Sequence, residues 1–186
     1  MLKIIAVTND QLSVNDLVNQ IIAIHQQIDF VILREKSKSD NELFQIITKL
    51  KMSGFDVNKI IIHNRADIAF ITGITKVQLP SYSLPLNELK KSFPTLSFGK
   101  SIHSYNEAKQ ALANHADWLL YGHIYETNSK PNIRPRGVDE LVQITQNLPI
   151  PVYAIGGIKN KHIDELKQYN IAGVAMKSTF FKEVVH

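Results

Sequence analysis

Eight short runs of apolar, strand-prone residues recur along this chain, each separated from the next by a polar or amphipathic segment. That alternation restricts the fold more than any other feature. The runs are Leu2–Val7, Phe30–Leu33, Lys59–His63, Lys76–Leu79, Leu96–Lys100, Trp118–Tyr121, Val152–Ile155 and Gly173–Met176. Their near-continuous apolar character is the pattern of strands covered on both faces of a parallel sheet. Helical stripes lie between them. Leu17, Ile21, Ile24 and Ile28 follow the cap residue Ser13, and Leu43, Ile46, Ile47 and Leu50 follow Ser39. Glu42 stands three residues after Ser39, the spacing of a capping box. Ser104, Glu107 and Ala108 open a third helix, and Gly137 to Ile144 lies in or near a later one; the segments after Asn64 and Ser83 are shorter. Strict strand–helix alternation gives an α/β fold. Eight strands fit a closed barrel, where an open doubly wound sheet usually needs fewer. The expected fold is a compact (β/α)8 TIM barrel, one domain over residues 1–186, because 186 residues fall below the roughly 200 and upward of most such barrels. Little sequence follows the eighth run, so the final helix is expected to be short or absent.

Composition narrows the setting. There is no cysteine, which removes disulfides, thiolate metal sites and a cysteine nucleophile. No apolar run approaches the roughly 20 residues of a membrane span, and no signal-type segment follows Met1, so a cytoplasmic protein with no membrane partner is expected. The net charge of +4 suits a small anionic substrate and is too dispersed to argue for nucleic acid.

In a barrel of this kind the chemistry sits where the strands end. Gly156-Gly157 follows the seventh run and Lys177-Ser178 follows the eighth. Loops in those two places frequently form a phosphate site, the first by close backbone approach, the second by a charge, a hydroxyl and N–H groups. The bland reading of Gly-Gly is a simple turn. The other strand ends offer Thr8, Asn9 and Asp10; Arg34, Glu35 and Lys36; His63, Asn64 and Arg65; Gln78, Pro80 and Ser81; Ser101, His103 and Ser104; and Gly122, His123 and Thr127. Neither a pair of acids for magnesium nor a histidine set with metal-ligand spacing stands out. No metal and no cofactor are therefore expected. His123 is the candidate catalytic residue, because imidazole both accepts and donates a proton near neutral pH. Its alternative is a structural histidine bonded to a backbone carbonyl. Arg34 could clamp a carboxylate with its planar fork, or pair with Glu35. His25, His115, His162 and His186 are expected on solvated positions. The stretch from Glu126 to Arg136 is polar and broken by Pro131 and Pro135, and could cover the mouth or be a plain surface loop.

These strand-end residues carry a resemblance to a known family. Ala6-Val7-Thr8-Asn9-Asp10, Leu33-Arg34-Glu35-Lys36-Ser37, Asn64-Arg65-Ala66-Asp67, Val77-Gln78-Leu79-Pro80-Ser81, Gly99-Lys100-Ser101-Ile102-His103-Ser104, Tyr121-Gly122-His123-Ile124-Tyr125-Glu126-Thr127 and Ala154-Ile155-Gly156-Gly157-Ile158 together resemble the thiamine phosphate synthase superfamily, and within it the TenI branch of thiazole tautomerases. Synthases in this resemblance carry a Gln-x-Arg-x-Lys motif, where Ile32 replaces the glutamine. They carry Asn-Asp where this chain has His63-Asn64, and a further aspartate where it has Ser83, so both magnesium carboxylates are missing. His123 stands where synthases typically have proline.

The resemblance implies an isomerase, a thiazole tautomerase of thiamine biosynthesis. It would convert 2-carboxy-4-methylthiazol-5-ylidene ethyl phosphate to the aromatic carboxythiazole ethyl phosphate by metal-independent proton transfer through His123. Its partner would be that thiazole phosphate alone, with the phosphate on Gly156, Gly157, Lys177 and Ser178, and Arg34, Asn64, Ser101 and Thr127 completing the site. Two alternatives share the pocket: a thiamine phosphate synthase with an altered metal site, and a regulatory protein sensing a pathway metabolite. An exposed apolar face on a short barrel is compatible with a homodimer.

Overall fold

The structure is a computed structural model that describes residues 2–182. Its strands are β1 (Lys3–Val7), β2 (Phe30–Leu33), β3 (Ile60–His63), β4 (Lys76–Leu79), β5 (Ser97–Ile102), β6 (Trp118–Gly122), β7 (Val152–Ile155) and β8 (Gly173–Met176). They pair in parallel in chain order, and β8 returns to β1 with Ile4 opposite Val174 and Ala6 opposite Met176, which closes the barrel. The crossovers are α1 (Val14–Ala23), α2 (Asp40–Met52), α3 (Ala66–Thr72), α4 (Leu86–Ser92), α5 (Tyr105–Ala113), α6 (Asp139–Asn147) and α7 (Ile163–Leu166). This is the (β/α)8 fold that the alternation predicts.

Local chemistry sets the helix starts. Ser13 accepts from the Asp16 amide at 3.2 Å, and Ser104 from that of Glu107 at 3.1 Å. Ser39 and Glu42 form the full capping box, each side chain bonded to the other's backbone N–H. The segments after Asn64 and Ser83 are helices of seven residues each. β5 runs two residues beyond the expected end, because Ser101 and Ile102 still pair with Leu120 and Tyr121 of β6. β3 starts one residue late, because Lys59 belongs to a short 3-10 turn capped by Asp56. No helix follows β8 through residue 182; the remaining residues, His186 among them, lie outside the described residues. Among the described residues no helix is long and apolar enough to cross a membrane.

The core has two compartments. The larger lies between barrel and helices, where Leu17, Ile21, Ile46, Ile47 and Leu50 meet outward-facing Ala6, Val31 and Leu33. The smaller fills the barrel itself with Ile5, Val7, Ile32, Ile61, Leu120 and Ala175. Gln78 is buried in this inner layer and fully engaged there: the Trp118 indole N–H donates to its Oε1 at 2.8 Å, and its amide donates to Ser101 Oγ at 3.1 Å. The barrel is thus plugged below its C-terminal rim, and the space above the plug forms the candidate site.

Candidate active site

A cavity of about 770 Å³ opens at the C-terminal end of the strands. Of the residues singled out in the sequence, Arg34, Ser101, His123, Thr127, Gly156, Gly157, Lys177 and Ser178 all line it, and Asn64 does not. Asn64 turns the chain at φ 56°, with its amide bonded to the Gln78 carbonyl at 3.0 Å, so its work is to shape the β3 exit.

The wall after β7 is a tight backbone turn. Gly156 and Gly157 have φ of 102° and 67°, a region that side chains rarely adopt. The Tyr125 amide donates to the Gly156 carbonyl at 3.0 Å, which pulls the β6 loop against the turn. A Cβ at Gly157 would stand 2.3 Å from the Glu126 carbonyl oxygen. Glycine is therefore required twice over, by torsion and by contact.

The opposite wall is cationic. Arg34 follows β2, its amide held by the Thr8 hydroxyl at 2.8 Å. Its guanidinium has no acidic partner among the described residues, because Glu35 pairs instead with Lys38 at 2.5 Å. Lys36 donates to the Tyr82 hydroxyl at 2.9 Å, linking the β2 and β4 loops across the rim. His63 is pushed down to about 4 by burial and by the charges of Arg34 and Lys36, so its ring is neutral at pH 7. Lys130 lies on the β6 loop, its pKa lowered by burial and by Arg136. Lys100 stands behind the rim and donates to the Pro80 and Ser81 carbonyls and to Ser83 Oγ at 2.8, 3.2 and 2.7 Å, which fixes the β4 loop. Sequence reading missed Lys100 as a loop holder. Its signal was a lysine inside an apolar run, where only an internal set of acceptors makes burial tolerable.

His123 is 4% exposed and its Nε2–H donates to the Ile133 carbonyl at 3.1 Å. That carbonyl can only accept, so Nε2 carries a proton; buried Nδ1 has no hydrogen-bond partner among the described residues. The bond joins the floor of the mouth to the 126–136 segment, which is anchored at its base by Arg136 N to the His123 carbonyl at 2.9 Å. Thr127, Asn128, Ser129 and Lys130 line the cavity from that segment, which forms part of the wall of the mouth. His103 lines it too, with Nδ1 donating to the Gly122 carbonyl at 2.8 Å.

The resemblance raised magnesium, which takes oxygen ligands, carboxylates above all. Among the described residues no group of three or more His, Cys, Asp or Glu side chains is placed to hold a metal ion. Glu126 is the one acid among the residues lining the cavity. The mouth does not fit a magnesium ion held by a pair of the chain's own carboxylates, since one acid lines it.

These features define a class: a (β/α)8 barrel with a cationic cavity and a glycine turn at its C-terminal mouth. The sequence model of the family described as thiamine monophosphate synthase matches residues 4–180, and the chain belongs to that family. It is 33% identical over 149 residues to the thiamine-phosphate synthase of Clostridium tetani, covering 79% of this chain and 71% of that one. It is 29% identical over 147 residues to the thiamine-phosphate synthase of Pyrococcus furiosus, covering 78% and 71%. The solved thiamine phosphate pyrophosphorylase from Pyrococcus furiosus superposes with a TM-score of 0.79 at 25% identity, covering 95% of this chain and 86% of that chain.

These findings correct the branch. The relatives carry synthase names and the structural neighbour is a pyrophosphorylase, so the TenI assignment, the isomerase activity and the lone thiazole phosphate tautomer as partner are overturned. The tautomerase reading took the missing magnesium carboxylates as the loss of a diphosphate site, whereas the cavity wall itself presents Arg34 and Lys36.

Proposed function

We propose that this chain is a thiamine-phosphate synthase, joining a pyrimidine that arrives as a diphosphate to a thiazole that carries a phosphate. One observation carries the reading: a single cavity has a glycine turn with Lys177 and Ser178 on its β7–β8 side and Arg34 with Lys36 on its β2 side, room for two phosphorylated partners at once. In the reaction the bond between the pyrimidine methylene carbon and the diphosphate oxygen breaks, and its electron pair leaves with the diphosphate. The thiazole nitrogen lone pair forms the new C–N bond, and no proton is gained or lost.

The barrel contributes position and charge. Gly156, Gly157, Lys177 and Ser178 hold the thiazole phosphate, as glycine turns and helix-like N–H clusters hold anions. Arg34 and Lys36 take the diphosphate, where charge builds up in the transition state. Ser101 and Thr127 line the space between. His123 holds the covering segment, which excludes water from the reacting carbon. The reading takes residues 1–186 as one domain working in the cytoplasm, in keeping with the absence of cysteine.

The test is to incubate the protein with a pyrimidinylmethyl diphosphate and a thiazole ethyl phosphate in magnesium-containing buffer. Thiamine phosphate is followed by fluorescence after oxidation and pyrophosphate by a coupled assay. The two products are expected in equal amounts. Formation of neither rejects the reading.

A further inference from the structure

We infer that this mouth neutralises the departing diphosphate with its own side chains, Arg34 and Lys36 foremost, so that the transfer requires no divalent metal ion. The inference rests on the synthase reading and deepens it.

Three observations carry it. The first is the state of the acids. Asp10 and Glu35, at the ends of β1 and β2, are the acids nearest this wall in sequence, and both are engaged. Lys38 Nζ lies 2.5 Å from Glu35 and 3.8 Å from Asp10, and Asp10 also accepts from the Ser37 amide and hydroxyl at 2.9 and 2.8 Å. A divalent ion would have to displace that lysine to reach them. The second is the state of the cations. Among the described residues Arg34 has no acidic partner, and Lys36 donates to a neutral phenol at 2.9 Å, with its ammonium 5.5 Å from the same ring centroid. Two positive charges therefore face a cavity lined by a single acid, Glu126, an arrangement that favours an anion as partner. A guanidinium adds the planar fork that meets two phosphate oxygens together. The third is the field. His63, the last residue of β3, lines the same cavity, and its pKa is lowered first by burial and then by the charges of Arg34 and Lys36. The part those two cations contribute also opposes entry of a doubly charged ion.

The chemistry is complete on these terms. The carbon–oxygen bond breaks, the pair remains on the diphosphate, and the fixed cations stabilise the charge that a metal would otherwise meet.

The deciding experiment is calorimetric titration with inorganic pyrophosphate, in EDTA and in magnesium, on the wild type, Arg34→Gln, Lys36→Gln and the charge-conserving Lys36→Arg. Binding in EDTA at least as tight as in magnesium is expected. It should weaken at least tenfold in each Gln variant and stay within about threefold in Lys36→Arg, a factor that separates loss of charge from loss of shape. Each variant's melting temperature shows whether it folds. Pyrophosphate bound only with magnesium, or bound in neither condition, overturns the inference. The transfer assay run in EDTA separates the two claims. Pyrophosphate binding without metal, but no thiamine phosphate formed with or without it, removes the synthase reading and leaves a metal-free anion site. Thiamine phosphate formed only with magnesium keeps the synthase and removes the inference.

Discussion

Replacing Gly157 by alanine tests the turn on which the phosphate is placed. The residue has φ 67°, and the left-handed region costs an L-residue about 1–2 kcal/mol. The new Cβ would also stand 2.3 Å from the Glu126 carbonyl oxygen and 2.7 Å from that of Tyr125. Both are backbone atoms, so relief requires the β6 and β7 loops to part by about 1 Å, an overpacking cost of about 1–3 kcal/mol. Together the two effects come to about 2–5 kcal/mol, and at about 2–4 °C per kcal/mol for a chain of this size the melting temperature falls by about 4–20 °C. Parting the loops also displaces the backbone N–H groups proposed to hold the phosphate, so affinity for inorganic phosphate should fall about 10–100-fold, or about 1.4–2.8 kcal/mol. Gly54→Ala is the control. Its φ is 78° and nothing lies within 4 Å of the added carbon, so it meets the torsional cost without the collision. Differential scanning fluorimetry and calorimetric titration of the three proteins decide the matter. A Gly157→Ala protein that melts with Gly54→Ala and binds phosphate like wild type would show that the turn does not shape the site.

Two further predictions concern the opposite wall and the cover. His63 has a folded pKa of about 4 against an ordinary 6.5, so the unfolded chain binds the proton more readily. Its contribution is fully present above pH 6.5 and is lost as pH falls toward 4, up to about 3 kcal/mol; urea unfolding at pH 7 and pH 4.5 should show a smaller pH effect in His63→Asn than in wild type, and equal pH effects would contradict the assignment. His123→Leu removes the bond to the Ile133 carbonyl at similar volume, a loss of about 1 kcal/mol, which makes opening of the 126–136 segment about fivefold more frequent. Trypsin cleavage after Arg136 should quicken by that factor, Lys130 and Arg134 being followed by proline; an unchanged rate would mean that the histidine does not hold the segment.

The fold was legible because each of its rules acts locally. Apolar runs of four to six residues mark strands buried on both faces, and Ser13, Ser39 and Ser104 mark helix starts through bonds to amides three residues on. Most of the mouth was legible for the same reason, since a residue just past a barrel strand has only one place to go. Asn64 escaped that rule because its positive φ turns the chain away at the first step. Lys100 escaped it because what fixes its role lies on another strand: its acceptors are 17 to 20 residues upstream, on the β4 loop. The partner of His123 was likewise beyond local reach: only the folded 126–136 segment brings the Ile133 carbonyl to its Nε2.

The branch was misread for a different physical reason. A glycine turn with Lys177 and Ser178 would recognise a phosphate, and it cannot report what the rest of the ligand does, because the phosphate would be the handle and the bond change would happen elsewhere. The sequence argument turned instead on missing acids, treating the loss of carboxylates at Asn64 and Ser83 as the loss of the means to accept a diphosphate. That step assumed that only a metal can supply the positive charge. The cavity wall can supply it directly: among the described residues Arg34 has no acidic partner, Glu35 pairing with Lys38, and Lys36 bonds a phenol. Removing acids from a mouth and leaving its cations unbalanced are electrostatically the same change. An acid-poor rim therefore does not argue against a diphosphate; it states how the diphosphate would have to be held.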